Sequence, residues 1–286
     1  MTRVVHAPAE HREACERARR DGARVGLVPT MGALHEGHLA LVAEAKRRGA
    51  TFVVVTIFVN PMQFGPTEDY SRYPRTLETD VAACRDAGVD LVLAPAREDM
   101  YPEGFQTHVE VEGLTTRLEG ALRPGHFRGV TTVVAKLFAL TGPALAVFGR
   151  KDYQQWKVLE RMTRDLDLPI EVVARPTVRE PDGLALSSRN RYLAAPERAR
   201  ATGIVTGLRA AVRAFDTGER RARALHDLVR GPIDAAFDVV DYVDVADPES
   251  LVPAGDLVGD RALVTVAARI GKTRLIDNCV LGEDRP

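Results

Sequence analysis

Cysteine is scarce: Cys15, Cys84 and Cys279 are three in 286 residues, far apart and with no CxxC pair, so neither a disulfide framework nor a cysteine zinc site is indicated. No apolar run reaches the roughly 20 residues that a membrane span requires. An excess of one charge is missing too. With 39 basic and 40 acidic residues the net charge is -1, so the chain is not built to coat nucleic acid or an anionic membrane, although it has room for a local basic site. The opening MTRVVHAPAEHREACERARR lacks the apolar core of a signal peptide and turns charged and helical at once. A cytoplasmic, enzyme-sized globular protein is expected, its 45% hydrophobic and 28% charged residues being ordinary for that class.

What is present is alternation. Val25–Val28 reads as a strand, and His38–Arg48 as a helix with Leu39, Val42, Ala43 and Ala45–Lys46 in helical spacing. The apolar run Phe52–Val59 then reads as a strand buried on both faces. Thr76–Ala87 is expected to be a helix closed by Gly88, and VDLVLAP another buried strand. TTVVAKLFALTG and DYQQWKVLERMTRDLD read as helices, PALAVFG and PIEVVARP as strands. Alternation of this kind argues for the α/β class, a doubly wound, Rossmann-like parallel sheet covered on both sides. Such sheets bind ligands beyond the carboxyl ends of their strands. Pro29–His38, Asn60–Gln63 and Gly149–Asp152 each fall at such an end.

The pattern changes after GLALSSRNRYL. A long helical region over Pro196–Phe215, a helix in RRARALHDLVRGPIDAAF, and strands in VDYVDVAD, RALVTVAARIG and TRLIDNCVLG predict a smaller α+β domain. The expected division is 1–177 and 178–286. Arg198, Arg200, Arg209 and Arg213 read as solvated helix faces.

The stretch VPTMGALHEGHLALV places His35 and His38 where a helix should begin. Three readings are open: an incidental loop feature, zinc ligation from one helix face, or nucleotide phosphate binding. HEGH is not the HExxH arrangement and no third ligand lies nearby, which disfavours zinc. A helix N-terminus carries partial positive charge and free N–H groups, which suits a triphosphate. Gly37 leaves room for a base or ribose, and two imidazoles can donate to phosphate oxygens. DGLALSSRN sets Ser187, Ser188 and Arg189 together, small donors beside a guanidinium, and FGRKDYQQ places Lys151 and Asp152 at a strand–helix junction. Each alone is matched by a bland reading, a capped helix or a surface lysine. Three phosphate-suited stretches at consistent topological positions are not.

PTMGALHEGH, IFVNPMQFGPTEDYSRYPRTLETD, GHFRGVTTVVAKLF, FGRKDYQQ, PTVREPDGLALSSRNRYL and TRLIDN together resemble the pantoate–β-alanine ligases of the HxGH nucleotidyltransferase superfamily. The resemblance runs almost continuously over residues 25–195 and reaches into the C-terminal domain. It implies ATP-driven condensation of pantoate with β-alanine through an enzyme-bound pantoyl adenylate, releasing AMP and diphosphate, with Mg²⁺ accompanying ATP. By the same resemblance His35, His38, Lys151 and Arg189 are the catalytic groups. ATP contacts fall on Met31, Gly37, Gly149, Lys151, Asp152, Val178, Ser187, Ser188 and Arg189, pantoate contacts on Thr30, Met31, Gln63 and Gln155, and a Mg²⁺-associated position on Asp80. Asn60 and Arg123 lie in matching stretches. Leu186 and Arg150 depart from the pattern; the second puts a direct role for that side chain in doubt. The resemblance also implies a homodimer with small-molecule substrates and neither nucleic acid nor membrane as partner.

Adenylation needs no protein nucleophile, and no Ser-His-Asp or Cys-His set is evident. The demand is for positioning and for stabilising phosphate charge. PTEDYSRYP or EPDGLALSS could close over a hydrolysable intermediate. The rivals are another HxGH nucleotidyltransferase, a class I aminoacyl-tRNA synthetase, and a nucleotide-binding module without catalysis. The first would need extra basic groups where IFVNPMQF is neutral and apolar. Near-neutral charge and only about 100 residues after the catalytic domain weigh against the second.

Overall fold

The computed structural model describes residues 2–66 and 68–286. It begins with β1 (Arg3–Val5), α1 (Pro8–Arg20), β2 (Val25–Thr30), α2 (Glu36–Arg47) and β3 (Phe52–Ile57). Then come α3 (Leu77–Asp86), β4 (Leu91–Leu93), α4 (Arg97–Met100), α5 (Glu119–Leu122) and α6 (His126–Thr141). β5 (Ala144–Gly149), α7 (Tyr153–Asp165) and β6 (Ile170–Arg175) complete a parallel sheet in the order β1-β4-β3-β2-β5-β6.

Side chains of this sheet alternate between two cores, as strand geometry requires. Leu27, Val54, Leu91, Leu93, Ala146 and Phe148 pack with α1, α6 and α7. Val28, Val53, Val55, Val92, Leu145 and Val147 pack with α2 and α3. Strands buried on both faces read as continuous apolar runs, which is why they were legible. Each fully buried Leu or Val adds roughly 1.5–3 kcal/mol. β1 was not expected: RVVH reads as the lead-in to a helix, yet it pairs with β4 as a three-residue edge strand.

Two helices differ from the sequence reading. α2 buries Leu41, Val42, Glu44 and Ala45 rather than the face through Ala43 and Lys46. Glu44 tolerates this because Arg47 and Arg48 bind its carboxylate, which holds its pKa down near about 2, chiefly through Arg47. The long helix expected over Pro196–Phe215 is broken into α8 (Ala195–Arg200) and α9 (Gly203–Asp216). At the break the Thr202 hydroxyl bonds back to the Ala199 carbonyl.

α10 (Ala222–Ala236) packs on α9, and β7 (Val239–Ala246), β8 (Ala262–Ile270) and β9 (Thr273–Leu281) form an antiparallel sheet. Leu208, Leu225, Ile233, Val264, Val266 and Cys279 are in its core. Of the four arginines read as solvated, Arg200, Arg209 and Arg213 are exposed and Arg198 is half-buried. Arg198 binds Glu180 and Asp182, Arg200 binds the Ala236 carbonyl and Asp238, and Arg209 reaches the Pro286 carbonyl. The chain divides into one unit of Met1–Arg150 with Gln154–Arg175, and a second of Lys151–Tyr153 with Pro176–Pro286. Among the described residues no helix is long and apolar enough to cross a membrane.

Candidate active site

Strand order reverses between β2 and β5, and ligands of such sheets bind at that switch point. The turn leaving β2 is tightly specified. Gly32 and Ala33 take φ of 83° and 50°, left-handed values that cost an alanine energy. Asp80 offsets that cost. Buried on α3, it accepts from the Ala33 and Leu34 N–H groups at 2.9 and 2.8 Å and from the Thr76 hydroxyl at 3.2 Å. A Cβ on Gly32 would stand 3.0 Å from the same carboxylate and 3.1 Å from Ile57, at a φ that strains any side chain, so glycine is favoured there. Thr30 is spent similarly, donating to the Thr56 carbonyl and accepting from the Gly32 N–H.

The two histidines that follow cap α2. His35 Nδ1 accepts from the Gly37 N–H at 3.1 Å, and His38 Nδ1 from the His35 N–H at 3.3 Å. Their ring centroids are 4.1 Å apart. A ring nitrogen that accepts carries no proton, so the main chain assigns both neutral rings the tautomer with hydrogen on Nε2. The first-turn N–H groups expected to be free are instead used: Gly37 by His35, and His38 and Leu39 by the His35 carbonyl. The end of α2 therefore offers imidazole donors, with the helix dipole behind them.

Beyond β3, Asn60 organises the next loop. Its Nδ2 donates to Gln63 Oε1 and to the Gly129 carbonyl, both at 3.0 Å, and its Oδ1 accepts from the Met62 N–H and the Tyr101 hydroxyl. Gln63 Nε2 is thereby turned toward Met31 Sδ, 3.1 Å away. α6 approaches so closely that a Cβ on Gly129 would lie 2.2 Å from the Met62 carbonyl oxygen. Arg123 grips Glu68 with both prongs at 2.6 and 2.7 Å. His126 donates Nδ1–H to the Gln63 carbonyl and accepts from Arg123. Burial, aided by Arg123, lowers its pKa to about 4, so it is neutral at pH 7. Phe64 packs between Tyr70 and Tyr73. Thr67, within the PTEDYSRYP segment expected to close, lies outside the described residues.

After β5, Gly149 faces open space where a Cβ would stand. Of the adjacent glutamines on α7, Gln154 is buried and fully used, holding the Leu114 and Arg117 carbonyls and the Glu119 N–H. Gln155 is half-buried and makes no hydrogen bond among the described residues.

The remaining candidates belong to the second unit. Lys151 has no ion-pair partner for its ammonium among the described residues, and Asp152 is exposed. Val178 and Leu186 join the ends of a small hairpin, in which Arg179 and Ala185 form an antiparallel bridge. That hairpin runs straight into Ser187, whose Oγ caps the next turn by accepting from the Arg189 N–H at 3.3 Å. Asn190 braces the loop through Glu180 and the Ala185 carbonyl. Arg150 has its guanidinium 5.9 Å from the centre of the Trp156 ring. The positioning partners Tyr101, Gly129, Arg179 and Asp277 were missed, because the groups they bind lie 41, 69 and 98 positions away and leave no local signal.

The model of the family described as pantoate-beta-alanine ligase matches residues 3–280. This chain belongs to that family. A pantothenate synthetase of Roseiflexus sp. (strain RS-1) is 54% identical over 280 residues, covering 98% of this chain and 99% of its own. The crystal structure of pantothenate synthetase from Thermus thermophilus superposes with a TM-score of 0.91 at 51% identity, covering 97% of this chain and 98% of that one. A pantoate-beta-alanine ligase from Francisella tularensis, complexed with β-γ ATP and β-alanine, gives 0.80 at 32% identity over 100% of both chains. Pantoate–β-alanine ligases are thus matched along the whole fold, the C-terminal sheet included.

Proposed function

We propose that the chain joins pantoate to β-alanine with cleavage of ATP to AMP and diphosphate, through an enzyme-bound pantoyl adenylate. The observation that carries this reading is the pair His35 and His38, held by the main chain on the first turn of α2 at the strand-order reversal, in a chain whose relatives carry the same activity in name. A pantoate carboxylate oxygen attacks the α-phosphorus, and the bond to the bridging oxygen breaks as diphosphate leaves. His35, His38, Lys151, Ser187, Ser188 and Arg189 are assigned to the triphosphate, where fixed donors meet developing charge. Met31, Gly37, Gly149, Asp152 and Val178 are assigned to the nucleoside side. Gln63 and Gln155 hold pantoate. Neutral amides donate to its carboxylate without withdrawing electrons as a guanidinium would. The neutral amine of β-alanine then attacks the acyl carbon, the bond to AMP breaks, and the ammonium formed loses a proton.

Mg²⁺ belongs to the substrate in this reading. Among the described residues no three His, Cys, Asp or Glu side chains gather as a metal site, and Asp80 spends its carboxylate on the turn after β2. A protein-built cage does not fit, whereas Mg²⁺ carried by the ATP phosphates needs none. A cytoplasmic homodimer is part of the same proposal, on family resemblance. The test is incubation with ATP, Mg²⁺, pantoate and β-alanine: pantothenate and AMP in equal amounts support it, and hydrolysis of ATP alone overturns it.

A further inference from the structure

Asp277 and Asn278 are 4% and 5% exposed on β9, between Leu275, Ile276, Cys279, Val280 and Leu281. An acid and an amide buried side by side carry a desolvation cost that apolar residues there would avoid, so their partners indicate their purpose. Neighbouring strand residues face opposite sides of a sheet, and these two reach different targets. Asp277 takes Arg179 with two prongs, at 2.6 and 3.0 Å, and Arg179 also donates to the Gly183 carbonyl at 3.0 Å. Arg179 thereby braces the hairpin that runs into Ser187, Ser188 and Arg189. Asn278 donates Nδ2 to the main-chain carbonyl of Lys151 at 2.7 Å, across 127 residues of sequence. Two residues on, the buried Tyr153 hydroxyl reaches the Pro248 carbonyl at 3.2 Å. The stretch bearing Lys151 is therefore tied to the second unit.

We propose that Asp277 and Asn278 are positioning residues for adenylation: from one point on β9 they fix the two arms that carry Lys151 and Ser187–Arg189. The proposal rests on the reading that those arms hold the triphosphate. Neither residue touches ATP; each acts through another.

The test splits the reaction of the full chain. Pantoate-dependent exchange of labelled diphosphate into ATP reads adenylation. Release of pantothenate from synthetic pantoyl adenylate and β-alanine reads the second half alone. Asn278→Ala, and the equal-sized Asn278→Asp that cannot donate, should lower exchange turnover about 10- to 100-fold, the scale of a slightly misplaced catalytic group. The second half, per folded molecule, should stay unchanged, while the melting temperature falls because a buried carbonyl loses its donor. Arg179→Lys keeps the buried charge but loses the fork, and should raise KM for ATP in exchange. In a Lys151→Ala background, Asn278→Ala should add no further loss, because its effect passes through Lys151. Equal losses in both halves per folded molecule, or losses that multiply in the double variant, overturn the proposal. A Lys151→Ala enzyme that exchanges at full rate removes instead the assignment of Lys151 to the phosphates, and the proposal falls with it.

Discussion

Asn60 Nδ2 lies 3.0 Å from Gln63 Oε1, and this contact decides which end of the glutamine amide faces Met31. Asn60 itself cannot be flipped, since its Nδ2 meets the Gly129 carbonyl and its Oδ1 the Met62 N–H. Asn60→Asp keeps the shape but removes both donor contacts and buries a charge. It should weaken pantoate binding by roughly 1–3 kcal/mol, the cost of unpaired buried groups, and leave ATP binding nearly unchanged. Calorimetric titration of each ligand checks this; equal losses for both would mean the pantoate site is misplaced.

The two adjacent glutamines should behave oppositely. Gln155→Ala is expected to weaken pantoate binding by about 1–3 kcal/mol with no change in melting temperature. Gln154→Ala strips partners from two carbonyls and one N–H, and should lower stability while pantoate affinity per folded molecule holds. Thermal melts beside titrations separate the two; a stable Gln154→Ala would show that its three bonds do not support the 114–119 loop.

Lys151→Ala should cut turnover roughly 10²–10³-fold, the scale for one oxyanion donor, with little effect on folding. His38→Ala should cost turnover on the same scale and also about 0.5–2 kcal/mol of stability, because the ring is part of a helix cap. From sequence alone no folding effect was expected of His38. Urea unfolding of the two variants side by side gives the answer, and equal stabilities would discard the capping role.

Asp80→Asn loses acceptor capacity for the turn after β2, and should lower the melting temperature while leaving the Mg²⁺ dependence of turnover unchanged. A large rise in the Mg²⁺ needed for half-maximal rate, in a variant of normal stability, would return Asp80 to metal binding.

His11 and His126 both have pKa values lowered from 6.5 to about 4, in each case by burial first and a neighbouring arginine second. The unfolded chain therefore takes up protons between those values that the folded chain does not. Their contribution to stability is fully present above about pH 6.5 and is lost as pH falls toward 4, each adding a slope of up to about 1.4 kcal/mol per pH unit. Denaturant midpoints from pH 8 to 4 should stay flat and then drop. His126→Gln should flatten the drop, and an unchanged profile would show that this ring is protonated in the fold.

Periodicity was enough for the sheet. β2 to β6 were legible as apolar runs because both faces of a parallel sheet are covered, and the loops that end β2, β3 and β5 could be placed from the strands alone. β1 was not, since three residues carry too little pattern, nor was the break at Thr202, where a hydroxyl bonds to the main chain beside Gly203 in an otherwise alanine- and arginine-rich stretch. The candidate site divides in the same way. HEGH, the glutamines, Lys151 and the serine–arginine loop were visible as residue types at strand ends. Which way each side chain is held was not, because Asp80 meets Ala33 across 47 positions, Asn60 meets Gly129 across 69, and Asn278 meets Lys151 across 127. Local spacing reports the backbone's own period. A hydrogen bond between distant segments exists only once the core has packed them together, and that packing decided that the two histidines cap a helix and that the buried acid on α3 holds a turn.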